Sequence, residues 1–152
     1  MVKRVVVLTT GAFDILHLGH MKMLADAKKT GGKNAKLVVV VASDETVRRN
    51  KRRKPIFGAK ERKQMLEFLK PVDEVIVGYE PLSFDKVMKR VKPDIVAFGY
   101  DQTKIRRKFE KFVDEKGYNV RVVTLRKHIV NPMSSSDVLR KILRRRLRQR
   151  NF

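Results

Sequence analysis

Five short apolar runs recur along this chain, and each is separated from the next by enough residues to form a helix. They occupy residues 5–10, 37–42, 74–77, 95–98 and 120–125. Runs of this length, rich in valine and bounded by turn residues, are typical of strands buried on both faces of a parallel sheet. The sequence therefore predicts a parallel sheet of about five strands.

The intervening segments are amphipathic and predict helices near residues 18–30, 59–69, 83–91 and 103–116, followed by a last helix near 135–149. Alternating strands and helices imply right-handed crossovers, which place helices on both faces of a doubly wound α/β sheet. A chain of 152 residues is expected to form a single domain, 1–152. Its basic C-terminal helix and tail would cover about residues 135–152.

Residues 9–20 lie where the first strand is expected to lead into the first helix, and they contain two of the three histidines. His17 and His20 are three residues apart, so both rings fall on one side of the first helical turn. Gly19 leaves no Cβ between them, so a ligand could approach the backbone closely. Because a helix N-terminus attracts phosphate, the arrangement predicts a polyphosphate site.

Two other interpretations of the histidines stay open at this point. Either one could be a surface or hydrogen-bonded structural residue. A zinc pair is disfavoured, because the chain has no cysteine and no third ligand is evident nearby. The absence of cysteine also excludes disulfides and thiolate chemistry.

The chain is strongly basic, with 37 Lys and Arg against 16 Asp and Glu, for a formal net charge of +21. The cations cluster in residues 48–54, 104–111 and 140–150. Such a field speeds the capture of anions and promotes non-specific nucleic-acid association. The charge therefore suits an enzyme of polyanionic substrates and an RNA-binding protein equally well.

No apolar stretch is long enough to span a membrane, and the N-terminus lacks a signal-peptide cleavage pattern. We therefore expect a cytoplasmic protein with no membrane partner.

The last helix carries an apolar stripe, and its first two turns should pack on the sheet. The stripe is formed by Val138, Leu139, Ile142, Leu143 and Leu147. Beyond residue 144 the tail could fray, bind anions or pack on a second copy of the chain in a homodimer.

The segment His17-Leu18-Gly19-His20, preceded by Gly11-Ala12-Phe13-Asp14, resembles the signature of the HxGH nucleotidyltransferases, the cytidylyltransferase-like enzymes with a Rossmann-like fold. Nearly the whole chain is similar to the archaeal FAD synthases of that superfamily. The further similar pieces include Ser43-Asp44-Glu45-Thr46-Val47, Gly99-Tyr100-Asp101-Gln102-Thr103 and Ser134-Ser135-Ser136.

This resemblance implies transfer of AMP from ATP to FMN, with release of pyrophosphate and no covalent enzyme intermediate. Mg²⁺ would arrive on the triphosphate, and no metal-binding residue is expected. Within the same chemistry, the alternative is a cytidylyltransferase that uses CTP and glycerol 3-phosphate. The alternative of another class is a basic nucleic-acid-binding module on this fold.

The resemblance also implies the roles of individual residues. The triphosphate would be contacted by His17 and His20. Lys22 would screen the attacking and leaving phosphates, or would be a surface charge on its helix. Ala12 and Phe13 would belong to the loop that wraps the nucleotide through backbone groups. The other nucleotide-binding positions around the strand ends would be Thr10, Gly11, Asp14, Leu18, Gly19 and Gly99. Phe13 could also anchor the core, and Asp14 is expected to orient the loop or a histidine.

Five further positions have an expected role, and some of them have a structural alternative. Arg62 would clamp a phosphate or lie exposed on its helix. Asp101, after Gly99, would contact the nucleoside or cap the helix that follows. Ser134 and Ser135 would bind phosphate at the start of the last helix, or Ser134 would cap it. Arg126 could reach the same anion.

Overall fold

The fold is built on a sheet of five parallel strands. A computed structural model describes residues 3–150. The strands are β1 (Val6–Gly11), β2 (Lys36–Val41), β3 (Glu74–Val77), β4 (Ile95–Phe98) and β5 (Arg121–Thr124). They lie in the order β3-β2-β1-β4-β5, and each of the four neighbouring pairs is parallel. The predicted Rossmann-like α/β sheet is confirmed.

Within residues 3–150, six helices connect or follow the strands. They are α1 (Leu18–Thr30), α2 (Asp44–Lys51), α3 (Ala59–Glu67), α4 (Phe84–Val91), α5 (Thr103–Lys116) and α6 (Ser135–Arg150). Five of them were predicted, with ends within two residues of the observed ones. The sixth, α2, was not predicted. In the part of the chain between residues 3 and 150, no helix is both long and apolar enough to cross a membrane.

The strands separate two apolar cores. Alternate residues of a strand point to opposite faces, so Leu37, Val39 and Val41 pack with α1 and α3 while Val38 and Val40 pack with α4 and α5. The central strands are therefore buried on both faces, as predicted. The prediction is wrong for β5, where Arg121 and Thr124 are exposed, because β5 forms an edge of the sheet.

The order of the strands determines where a ligand can bind. From β1 the chain winds outward through β2 to β3, then returns to add β4 and β5 on the other side of β1. The winding direction changes between β1 and β4, and in open α/β sheets the ligand crevice lies at such a point, outside the carboxyl ends of the strands. The residues that follow β1 and β4 therefore face one another across the crevice.

The last helix packs over a shorter length than predicted. Val138 and Leu139 are partly buried, whereas Ile142 and Leu143 are 56% and 57% exposed. Packing therefore ends after about one turn. Beyond it, every described residue of α6 is exposed.

Candidate active site

The first turn of α1 is capped by two histidines. His17 is the N-cap residue, and its Nδ1 accepts a hydrogen bond from the backbone N–H of Gly19 at 3.1 Å. Nδ1 of His20 accepts one from the backbone N–H of His17 at 3.3 Å. The two ring centroids are 3.9 Å apart. This is a capping box in which imidazoles replace the usual hydroxyl and carboxylate.

These bonds assign the position of the ring protons. A nitrogen that accepts a hydrogen bond carries no proton, so a neutral ring must carry its proton on Nε2. In both histidines Nε2–H is therefore a donor. Nε2 of His17 is buried and has no hydrogen-bond partner among residues 3–150. A buried donor without a partner costs free energy, which a ligand's oxygen would recover.

The surroundings keep both rings neutral. Burial lowers the pKa of His17, the carboxylate of Asp137 partly offsets this, and the ammonium of Lys51 adds to it. Burial lowers the pKa of His20 to about 3, with further contributions from His17 and Lys51. Near neutral pH the pair therefore offers two N–H donors without two positive charges.

Gly19 is required for a different reason than predicted. A Cβ at this position would lie 2.8 Å from Cε1 of His17 and 3.2 Å from Cγ2 of Val130. The space above Gly19 is thus filled by the His17 ring rather than left open for a ligand. Glycine is needed here because the capping ring packs directly on its backbone.

The loop after β1 is held by an aromatic anchor. The side chain of Phe13 is buried in the core, and its ring lies against His20 with centroids 5.3 Å apart. A Cβ on Gly11 would lie 2.7 Å from this ring, so glycine is needed at that position. Phe13 has a positive φ of 49°, which is uncommon for a residue with a side chain. Its expected role as a core anchor is confirmed.

Asp14 orients the loop that joins α2 to α3. Its fully buried carboxylate accepts hydrogen bonds from the backbone N–H groups of Ile56 and Phe57 and from Nη1 of Arg53. Burial opposes ionisation most strongly, yet these three donors hold its pKa below the ordinary value. Nη2 of Arg53 is buried without a partner among residues 3–150, so it is a second unpaired donor.

Lys51 belongs to the same site and was missed by the sequence analysis. Partial burial and the charge of Arg53 lower its pKa, while the carboxylates of Asp14 and Asp101 oppose the shift. Its charge also acts on both histidines. The ammonium group of the last residue of α2 is therefore close enough to the first turn of α1 to lower the pKa of both histidines. Its place within a long basic run gave no sign of this position.

Arg62 departs from both expectations. Its side chain is fully buried rather than exposed on α3. The guanidinium donates to the carbonyls of Phe57, Ala12 and Ala42, at 2.8–2.9 Å, and to the carboxylate of Asp44 at 2.7 Å. These bonds occupy four of the five guanidinium N–H groups, and the side chain is buried away from any phosphate in solution. Arg62 instead joins the loops after β1 and β2 to the start of α3.

Gln102, which carried no predicted role, joins the two strands at the crevice. Its Oε1 accepts from the backbone N–H of Gly99, and its Nε2 donates to the carbonyl of Thr10. Gln102 rather than Asp101 is the N-cap residue of α5, so the capping role expected for Asp101 is wrong. Asp101 is exposed, and its charge acts on Lys51 and Tyr100.

The two serines at the start of α6 are bonded to protein groups. Oγ of Ser134 accepts from the backbone N–H of Asp137, which is the predicted cap. Oγ of Ser135 accepts from the N–H of Ile15 and donates to its carbonyl, both at 3.0 Å. The expected hydroxyl–phosphate contact is therefore not supported by this arrangement. Ser135 instead holds the N-terminus of α6 against the loop before α1.

The remaining predicted residues lie outside this network. Arg126 is 76% exposed in its side chain and pairs with Asp26 on α1, as does His128. Lys22 and Leu18 are exposed on α1. Among residues 3–150 no group of three or more His, Cys, Asp or Glu side chains could hold a metal ion.

A surface groove with a volume of about 930 Å³ lies elsewhere, between α1 and the end of α3. It is lined by lysines and by the exposed Phe68, and it does not include either capping histidine. We assign the site to the crevice at β1 and β4 because the unpaired donors and lowered histidine pKa values are found there.

A sequence model of the cytidylyltransferase-like family matches residues 8–141. The chain belongs to the cytidylyltransferase-like family. Over 136 residues it is 41% identical to the FAD synthase of Methanothermus fervidus, covering 89% of this chain and 92% of that one. Over 130 residues it is 45% identical to the FAD synthase of Methanopyrus kandleri, covering 86% and 85%.

A solved structure agrees with this assignment. This chain is similar to the solved structure of the lipopolysaccharide core biosynthesis protein of Thermoplasma volcanium, with a TM-score of 0.75 and 39% identity. The likeness covers 84% of this chain and all of the other. The family match ends at residue 141, so it includes the described site but not the last nine described residues of α6.

Proposed function

We propose that this protein is an FMN adenylyltransferase, which transfers AMP from ATP to FMN and releases pyrophosphate. The observation that carries the proposal is the pair of neutral imidazoles at the head of α1, each with its Nε2–H available as a donor. The relatives named FAD synthase, at 38–45% identity over most of the chain, supply the choice of substrates.

The reaction needs charge neutralisation more than a nucleophile. An oxygen of the FMN phosphate forms a bond to the α-phosphorus of ATP, and the bond from that phosphorus to the bridging oxygen of pyrophosphate breaks. Negative charge grows on the transferring group and on the leaving oxygens. Donors that are already oriented stabilise this charge without reorganising at the moment of reaction. The capping bonds of His17 and His20 provide such orientation.

Cations surround the same space. The ammonium of Lys51 acts on both histidines, and the unpaired Nη2 of Arg53 is held in position by Asp14. Lys22, exposed on the first turns of α1, would screen the attacking and leaving phosphates. We assign these three side chains to the triphosphate and to the phosphate of FMN.

The backbone completes the proposed site. The first N–H groups of α6 have no partner within their own helix, and Ser135 holds this end next to the loop before α1. They would bind the pyrophosphate portion through the backbone rather than through the serine hydroxyls. The exposed Asp101 would contact the nucleoside. Mg²⁺ would enter as part of the nucleotide substrate, bound mainly by phosphate oxygens.

A product assay tests the proposal. The protein is incubated with Mg²⁺ and either ATP or CTP, each combined with FMN or with glycerol 3-phosphate. Pyrophosphate release and the nucleotide product are then measured. FAD should form, and only in the mixture of ATP and FMN. Formation of CDP-glycerol from CTP would replace this function with glycerol-3-phosphate cytidylyl transfer, and no turnover in any mixture would remove it.

A further inference from the structure

The exposed part of α6, most of which lies beyond the family match, carries a charge that the proposed reaction does not use. Between residues 138 and 150 the helix has seven cations and no acidic residue: Arg140, Lys141, Arg144, Arg145, Arg146, Arg148 and Arg150. All seven are exposed. Only Arg140 forms an ion pair within the described chain, with Asp137 one turn earlier. From residue 141 onwards no element of the described fold covers this helix.

The cations lie on two opposite sides of the helix. Arg140, Arg144 and Arg148 follow one another at intervals of four residues, with Lys141 and Arg145 beside them, and so form one side. Arg146 follows Ile142 by four residues and Leu143 by three, which places it among the apolar side chains on the other side. Arg150 follows Arg146 by four and lies on that side too. The polyanion that fits must present negative charge to both sides of a helix.

A lipid surface fits this pattern poorly. A membrane-surface helix needs a continuous apolar face. In the exposed part of α6 only Ile142, Leu143 and Leu147 are apolar, and Arg146 and Arg150 interrupt them. A second copy of the chain fits no better, because its net charge is also +21.

We propose that the arginine-rich half of α6 binds double-stranded DNA without sequence preference. The major groove of B-form DNA is about 12 Å wide and admits a helix about 10–12 Å across, with phosphates along both walls. The major groove of A-form RNA is too narrow for side chains to enter. The described segment from Arg140 to Arg150 is about 15 Å long, which is enough to follow the groove over several base pairs. Phosphate contacts carry no sequence information, so the affinity should be general.

The test is the salt dependence of binding to a short fluorescent DNA duplex, measured by anisotropy. Each phosphate contact contributes about −0.9 to the slope of log K against log salt concentration. Replacing Arg144, Arg146, Arg148 and Arg150 by Gln keeps helix propensity while it removes cations from both sides. We expect this variant to bind at least about 100-fold more weakly near 100 mM salt and its slope to be shallower by about 3–4.

A matched control removes the same charge from another helix. Arg107, Lys108, Lys111 and Lys116 are exposed on α5, and their replacement by Gln also lowers the net charge by four. If net charge alone attracted DNA, both variants would weaken binding equally. We expect the α5 variant to stay within about threefold of the wild-type affinity and slope. Equal losses in the two variants would overturn the proposal.

Parallel titrations separate the rival ligands. Duplex RNA of the same sequence and vesicles of phosphatidylserine are titrated under the same conditions. Tighter binding to either one than to DNA would overturn the assignment to the DNA groove. FAD formation by the α6 variant is expected to equal that of the wild type, since none of the four arginines lies in the site described above. The DNA result and the result for the proposed reaction can therefore fail separately.

Discussion

At the scale of single residues, each capping histidine uses its two ring nitrogens for different purposes. Nδ1 accepts a backbone N–H and fixes the ring, while Nε2 carries the proton and remains available. A charged imidazole has no acceptor nitrogen and so could not form this cap. The cap and the proposed phosphate contact therefore require the same protonation state. The low histidine pKa values are therefore needed for the helix cap as well as for the proposed chemistry.

His20 should make stability depend on pH. Its pKa is about 3 in the folded protein and 6.5 as a model value, so the unfolded chain binds the proton more tightly. The free energy of unfolding therefore falls as the pH drops from about 6.5 towards 3. We expect His20 to remove about 1–3 kcal/mol of stability between pH 7 and pH 4, measured by urea unfolding.

The variant His20→Asn isolates this effect. Asparagine offers a non-titrating acceptor for the backbone N–H of His17, so it should lose less stability over the same pH range. The buried Asp14, whose pKa is lowered, destabilises both proteins on acidification and cancels in the comparison. Equal losses in the two proteins would show that His20 is not buried in its neutral form.

At the scale of elements, α2 and the loop after it bring positive charge to the head of α1. Ser43 caps α2 by accepting from the N–H of Thr46, and the helix ends at Lys51. The following loop is held at Ile56 and Phe57, whose N–H groups donate to Asp14, and the carbonyl of Phe57 also accepts from Arg62. The positions of the Lys51 and Arg53 charges thus depend on two buried polar groups. Neither group needs to touch a substrate to matter for the site.

Removing the guanidinium of Arg62 should destabilise the fold. Arg62→Met keeps a long apolar side chain but leaves the carbonyls of Ala12, Ala42 and Phe57 without this donor. We expect a loss of about 2–4 kcal/mol, measured by chemical unfolding, because buried carbonyls without partners are costly. Lys60→Met is the matched control on the exposed side of α3 and should change stability by less than about 0.5 kcal/mol. Similar stabilities for the two variants would contradict the joining role of Arg62.

At the scale of the whole molecule, much of the fold could be predicted from the periodicity of the sequence. Valine-rich runs buried on both faces identified the strands, and the amphipathic segments identified five helices. Helix α2 was missed because it has one buried residue, Val47, among charged neighbours. Its signals were local instead: the Ser43 cap, acidic residues in its first turn and basic residues in its last.

The site was predictable only where its geometry is local. The three-residue spacing of His17 and His20 is a property of one helical turn, so the sequence predicted that the rings are adjacent. The burial of Arg62 depends on carbonyls from three segments that meet only in the folded chain. The approach of Lys51 to the histidines likewise depends on tertiary structure. Spacing along the chain carries no information about such contacts.

Turnover by two variants at residue 17 tests the central claim most directly. His17→Asn keeps an acceptor near the position of Nδ1 and loses the Nε2–H donor, whereas His17→Gln carries an amide N–H near the position of Nε2. We predict that His17→Asn forms FAD at least about 100-fold more slowly than the wild type, while its Tm changes by no more than about 2 °C. His17→Gln should recover part of the lost rate. FAD formation at the wild-type rate by a folded His17→Asn would contradict the account, because the donor that it assigns to the reaction would then be dispensable.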